Sequence, residues 1–78
     1  MTEVERIIAI ICEVGKLPEV GPDQDLQEAG FTSMSVLQLL VELEDAFNVS
    51  IPDDQYMACH TPNDLYRMID GLRVKEIA

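Results

Sequence analysis

The sequence predicts an all-α fold: a four-helix bundle of three long helices and one short one, with a long loop between helices 1 and 2. Three observations carry this. Apolar residues recur at the 3-4 spacing of one buried helical face in three stretches. Two of those stretches open on N-cap signatures, at Thr2 and Thr61. No segment alternates with the period of two that marks a half-buried strand, and no repeat or low-complexity tract appears.

The first helix reads from Thr2 to Gly15. Thr2 and Glu5 fit a capping box, in which each side chain satisfies a free N–H of the first turn. Val4, Ile7, Ile8 and Ile11 form its apolar face, and Gly15 offers a left-handed stop. Lys16 to Thr32 reads as loop, because Leu17-Pro18 and Gly21-Pro22 break any helix. Structureless loops of this length are uncommon and often functional. Leu26, Ala29 and Phe31 are its apolar anchors to the core.

The second helix runs from Ser33 to Phe47, with Leu40, Leu43 and Phe47 on one face and Leu37 and Leu39 widening it. Glu42, Glu44 and Asp45 crowd its C-terminal half, where the helix dipole prefers cations, which favours a docking role for them. Asn48 is the C-cap, and Val49 to Pro52 exits extended. Pro52-Asp53-Asp54 starts a short helix to about Met57. Thr61-Pro62-Asn63-Asp64 starts the last helix, with Thr as N-cap and Pro at the first helical position. Leu65, Met68, Ile69 and Leu72 give its buried face; Gly71 and the tail over 73–78 let its end fray.

Seventy-eight residues make a single domain over 1–78. A chain this short buries roughly 60–65% of its unfolded surface, enough for one core and no separate catalytic lobe. Fifteen acids against five Lys and Arg give a net charge of −10. That excludes a binder of nucleic-acid backbones, which needs clustered cations, and suits partners with basic docking surfaces. No signal peptide or membrane span is expected, since the longest apolar run is Ile7 to Cys12. Two cysteines are too few for a disulfide scaffold, so a cytoplasmic protein with reduced thiols is expected, and a monomeric one.

The segment that concentrates chemistry is Gly30-Phe31-Thr32-Ser33-Met34. Thr32 is free to cap the helix, so Ser33 is not needed for that. Phe31 and Met34 can anchor the junction and hold the Ser33 hydroxyl outward. No basic residue stands beside it in sequence, so the serine is suited to being modified rather than to attacking a substrate. A helix N-terminus would also favour a phosphodiester there, through unpaired N–H groups and the dipole.

Leu26-x-Glu28-x-Gly30-Phe31-x-Ser33-Met34 resembles the segment around the phosphopantetheine attachment serine of acyl and peptidyl carrier proteins. The helix Leu37-x-Leu39-Leu40-x-x-Leu43-Glu44-Asp45-x-Phe47 and the loop Val49-x-Ile51-Pro52-Asp53 follow at the spacing of that family's recognition helix and Ile-Pro loop. Length, acidity and helix count fit the four-helix carrier-protein bundle, so the resemblance covers essentially the whole chain.

The resemblance implies a freestanding, non-catalytic carrier. A phosphopantetheinyl transferase would move 4′-phosphopantetheine from coenzyme A onto Ser33. An acyl- or aminoacyl-loading enzyme would charge its thiol as a thioester. Downstream synthase, transferase or tailoring enzymes would then dock on helix 2. The docking residues implied are Met34, Leu37, Gln38, Val41, Glu42, Glu44, Asp45, Asp53 and Asp54, and the short third helix and its loop would help frame the arm. Met34 and Val41 are expected to be semi-exposed, and Leu37 to face the gap toward the short helix.

The chain departs from the family's usual Asp-Ser-Leu. Thr32 keeps the cap but removes a charge worth about 0.3–1 kcal/mol near the helix start. In the family that Asp also helps position the transferase's metal ion. Ser35 and Gln38 stand where fatty-acid carriers are often acidic. These departures favour a polyketide or nonribosomal-peptide carrier over a fatty-acid-synthesis acyl carrier protein. An unmodified acidic helical interaction module is the other alternative.

The remaining candidates point elsewhere. Cys12 reads as a buried thiol at the edge of helix 1's apolar face. Cys59-His60 makes a poor active site, with one His and no orienting partner. Asp23-x-Asp25 fails as a calcium loop, since positions six and twelve are Glu28 and Met34 rather than Gly and Glu. No metal site and no enzyme activity are expected. The resemblance implies an interior that can loosen to shelter a short acyl chain, and Met57 and Met68 are expected to give the core adaptable packing.

Overall fold

A computed structural model describes residues 2–77 of the chain, with side chains described through Arg73. It contains five helices: α1 (Glu3–Gly15), α2 (Leu26–Ala29), α3 (Ser33–Phe47), α4 (Asp53–Met57) and α5 (Pro62–Ile77). The all-α expectation stands, with three long helices. The count of four does not, because the long first connection holds the extra single-turn helix α2.

α1 starts as its sequence dictates. Glu5 N–H donates to Thr2 Oγ1 and Thr2 N–H donates to Glu5 Oε1, each at 3.1 Å. It ends differently. Lys16, not Gly15, takes the left-handed C-cap conformation at φ 54°. Gly15 has another reason to lack a side chain: a Cβ there would lie 2.5 Å from the Phe31 ring.

α1 packs against both α3 and α5. Ile7 and Ile11 from α1, Leu39, Leu43 and Phe47 from α3, and Leu65 and Ile69 from α5 form the centre of the core. Leu39 therefore lies on the central stripe of α3 and Leu40 flanks it, the reverse of the expected order. Met68 packs against this core, but Met57 is exposed, so the adaptable packing expected of it is absent. α5 runs past Gly71 to Ile77. Ala78 and the side chains beyond Arg73 lie outside the described residues.

α3 has no basic residue in its last turn. The cation comes from α1: Arg6 stacks 4.8 Å over the Phe47 ring and donates to the Ala46 carbonyl at 3.0 Å. Arg73 approaches the same ring at 5.8 Å and pairs with Glu3 and Asp70. Two guanidinium groups thus tie all three long helices to one aromatic ring, where cation–π attraction adds to burial.

Candidate functional site

The connection before α3 is pinned throughout its second half. Val20, Leu26 and Phe31 are buried in the core. Leu26 N–H donates to His60 O at 2.9 Å, Asn63 N–H to Pro22 O at 3.0 Å, and Asn63 Nδ2 to Asp23 Oδ1 at 2.7 Å. Asp25 caps α2, accepting from the N–H groups of Gln27 and Glu28. Both carboxylates of the Asp23-x-Asp25 pair thus have structural work. Gly30 then turns the chain at φ 113°, a left-handed conformation that glycine adopts without steric cost.

That turn delivers Phe31 inward and Thr32 outward. Thr32 Oγ1 accepts from Ser35 N–H at 3.2 Å and lies 3.2 Å from Ser35 Oγ. The cap therefore occupies Thr32 and engages Ser35. Ser33, the first residue of α3, is exposed. Its own N–H and that of Met34 bond to no other described residue. An exposed hydroxyl beside two unpaired N–H groups at the start of a 15-residue helix fits a phosphodiester.

Along α3 from Ser33, Met34, Leu37 and Val41 are 81%, 66% and 62% exposed, and Met57 on α4 is 67% exposed. Four large apolar side chains are thus left in water as an exposed apolar face. Sequence reasoning missed Met57's place in it. The signal was available, since Met57 ends a helix whose buried residue is Tyr56. Gln38, Glu42, Asp45, Asp53 and Asp54 are exposed around this face. Glu44 is half-buried, and its Oε2 accepts from Ile51 N–H at 2.9 Å, so it anchors the Ile51-Pro52 loop.

α4 is held by Tyr56. Its ring is buried and its hydroxyl donates to the Val36 carbonyl in the first turns of α3. Burial, with a smaller contribution from Cys59, pushes that hydroxyl well above the usual tyrosine range, so it stays protonated. Cys59 donates its thiol to Gln55 O at 3.4 Å, and burial raises it too, with Asp64 adding to the effect. Burial at Cys59 thus works against forming the thiolate, the more nucleophilic form of the side chain.

A groove opens beside Ser33, walled by Phe31, Val36, Leu37 and Met57 with Gln27 and Thr32. A cavity of about 110 Å³ lies behind it, lined by Leu26, Phe31, Val36, Tyr56, Met57 and Leu65, with Asp25, Gln27, Cys59 and His60. Gln27, Phe31, Val36 and Met57 border both spaces. Among the described residues no three His, Cys, Asp or Glu side chains converge on a metal position. No described helix is long and apolar enough to cross a membrane.

The geometry places an exposed serine hydroxyl at a helix N-terminus beside an exposed apolar face. The chain belongs to the phosphopantetheine attachment site family, whose pattern matches residues 5–69. It is a carrier protein, and the family's cofactor is covalently attached 4′-phosphopantetheine; carriers of this kind are generally non-catalytic.

Among curated relatives, 3-methylorcinaldehyde synthase of a Phoma species is 27% identical over 70 residues, 87% of this chain and 3% of that one. A probable acyl carrier protein of Caulobacter vibrioides is 30% identical over 63 residues, 80% of this chain and 73% of that one. An acyl carrier protein of a Sulfurovum species is 34% identical over 47 residues, 60% of this chain and 63% of that one. The chain thus spans a small fraction of the first relative and most of the other two.

Two solved structures share the fold. One is the docking-domain complex of the Pax NRPS, PaxA T1-CDD with PaxB NDD, at TM-score 0.89 and 23% identity. That match covers 99% of this chain and 74% of the other. The second is the Thermotoga maritima acyl carrier protein, at TM-score 0.77 and 24% identity, covering 97% and 91%.

Proposed function

We propose that this chain, as one carrier unit over 1–78, bears its phosphopantetheine arm on Ser33 and presents a thioester-bound acyl or aminoacyl group to partner enzymes. The observation that carries the reading is the exposed Ser33 hydroxyl on the first turn of α3, with the cap supplied by Thr32 instead. Ser33 would hold the phosphodiester, the N–H groups of Ser33 and Met34 would face its charge, and the groove walls would pack the arm's apolar portions. The arm supplies a terminal thiol on which cargo is held as a thioester.

The test is an intact mass after incubation with coenzyme A and a promiscuous phosphopantetheinyl transferase. The wild-type chain gains one phosphopantetheine and Ser33→Ala gains none. A mass gain that survives in Ser33→Ala, or that is lost only in Ser35→Ala, overturns the assignment. No gain in the wild type favours the unmodified interaction module.

The partners in this reading are the transferase, a loading enzyme and downstream synthase, transferase or tailoring enzymes. They would meet Met34, Leu37, Val41 and Met57 at the centre, and Gln38, Glu42, Asp45, Asp53 and Asp54 at the rim. A partner with an apolar pocket and a basic border is complementary to that pattern. Glu44 contributes charge to the same side while bonding Ile51.

A polyketide or nonribosomal pathway is favoured by the uncharged Thr32, Ser35 and Gln38, and by likeness to a synthase named for 3-methylorcinaldehyde. Equal turnover by fatty-acid-synthase partners would return the chain to fatty-acid synthesis. The reading is of a cytoplasmic monomer with reduced Cys12 and Cys59.

A further inference from the structure

We infer that Gln27 is a positioning residue for the arm, its side-chain carboxamide hydrogen-bonding an amide of the pantetheine as it lies along the groove beside Ser33. The inference rests on the Ser33 reading and adds to it a residue outside the serine segment and outside the docking helix.

The groove has a chemical imbalance. Phe31, Val36, Leu37 and Met57 offer only apolar contact. A pantetheine chain carries two secondary amides, each a donor and an acceptor, and burying them against an apolar wall costs free energy unless they are paired. Thr32 borders the groove, but its hydroxyl is engaged with Ser35. Ser33 would carry the ester. Gln27 remains: its carboxamide makes no hydrogen bond to any described side chain or backbone group, and it offers both a donor and an acceptor.

Its placement is fixed although its tip is free. The Gln27 N–H donates to Asp25 Oδ1 at 2.8 Å and its carbonyl accepts from Gly30 N–H at 3.1 Å. Leu26 beside it is buried and tied to His60. A short helix anchored at both ends thus presents one uncommitted amide where the groove meets the inner cavity, since Gln27 borders both.

The test uses the full chain, modified with coenzyme A whose pantetheine amides are isotopically labelled, with mass confirming the modification. In the wild type, the Gln27 side-chain NH₂ signals shift between unmodified and modified protein, and cross-peaks connect them to the arm. Gln27→Leu keeps the apolar bulk and removes the hydrogen bonding. In it the ratio of docked to free arm, read from amide relaxation, falls about fivefold, as loss of one hydrogen bond of ordinary net strength implies. A modified wild type whose Gln27 NH₂ signals do not move, or arm relaxation identical in wild type and Gln27→Leu, overturns the inference. Absence of the mass gain at Ser33 instead overturns the reading beneath it. The wild-type signals decide the matter even where Gln27→Leu folds poorly.

Discussion

Gly15 and Phe31 are sixteen positions apart and share one space. A Cβ at position 15 would meet Phe31 Cε1 at 2.5 Å, closer than packed atoms approach. Phe31 lies two residues before Ser33, so the closeness of α1 to that ring helps to set where the serine sits. Gly15→Ala is expected to push the ring outward and cost about 1–3 kcal/mol, the usual range for overpacking. Urea denaturation reads the loss, and an amide spectrum should show the largest shifts at 30–34. An Ala variant as stable as wild type would mean that Phe31 relaxes freely.

Asp64 gives a residue-scale pH dependence. The N–H groups of His60 and Thr61 donate to its carboxylate at 3.0 and 3.3 Å, and Arg67 lies 3.6 Å away. The His60 bond leads in holding the carboxyl below its ordinary value; burial opposes it, and the Thr61 bonds and Arg67 add to the lowering. A carboxyl with a lowered folded pKa contributes stability above its unfolded pKa. That contribution is lost as pH falls through the folded value. Stability should therefore decline below about pH 4, where an unfolded Asp begins to protonate. Asp64→Asn should make that acid limb shallower in a series of urea midpoints between neutral and acid pH. Identical limbs in the two proteins would assign acid sensitivity to other carboxylates.

At the scale of elements, the helices that pattern could find are those long enough to show a period. The faces of α1, α3 and α5 repeat at 3-4 spacing for three turns or more. α2 has four residues and no period to detect, and flanking prolines made its surroundings read as loop. Its ends were nonetheless written in Asp25, with Glu28 three residues on, and in Gly30. The Ser33 segment was legible because its chemistry is local: a cap, a hydroxyl and an aromatic within five residues. The groove wall was not, since Gln27 and Met57 meet Ser33 only through the tertiary fold.

The same contrast governs α3. Its acids at Glu42, Glu44 and Asp45 look unfavourable for its dipole, and its sequence holds no compensating cation. Arg6 supplies one from α1, forty residues away, at Ala46 O and over Phe47. Arg6→Ala is expected to cost about 1–2 kcal/mol, combining an exposed cation–π contact with a helix C-terminus charge. Arg6→Lys should recover the charge but not the planar stacking, and so fall between the two. Chemical denaturation of the three proteins orders them, and an Arg6→Ala midpoint equal to wild type would reduce the clasp to a surface contact.

Over the whole molecule the charge is divided unevenly. Between Leu17 and Tyr66 there are ten Asp or Glu and no Lys or Arg, so that segment accounts for the entire net charge of −10. The segment holds α2, α3 and α4, which are Ser33, the groove and the exposed apolar face together. The outer segments are balanced, and their Arg6 and Arg73 are engaged at Phe47. Like-charge repulsion is therefore concentrated in that segment, and salt screens it over about 10 Å at 0.1 M. The melting temperature should rise with sodium chloride, by ~4–8 °C for each kcal/mol of repulsion relieved. Asp45→Lys should raise it in low salt as well, by about 0.5–1 kcal/mol of stability, since it replaces an exposed acid near the C-terminus of α3 with a cation. The same variant should be modified more slowly by the transferase at low salt, with the difference shrinking as salt is added. A melting temperature flat across the series, or an Asp45→Lys protein no more stable than wild type, would remove self-repulsion as the cost of this surface. A variant that is more stable and equally fast would separate docking from the acidic rim.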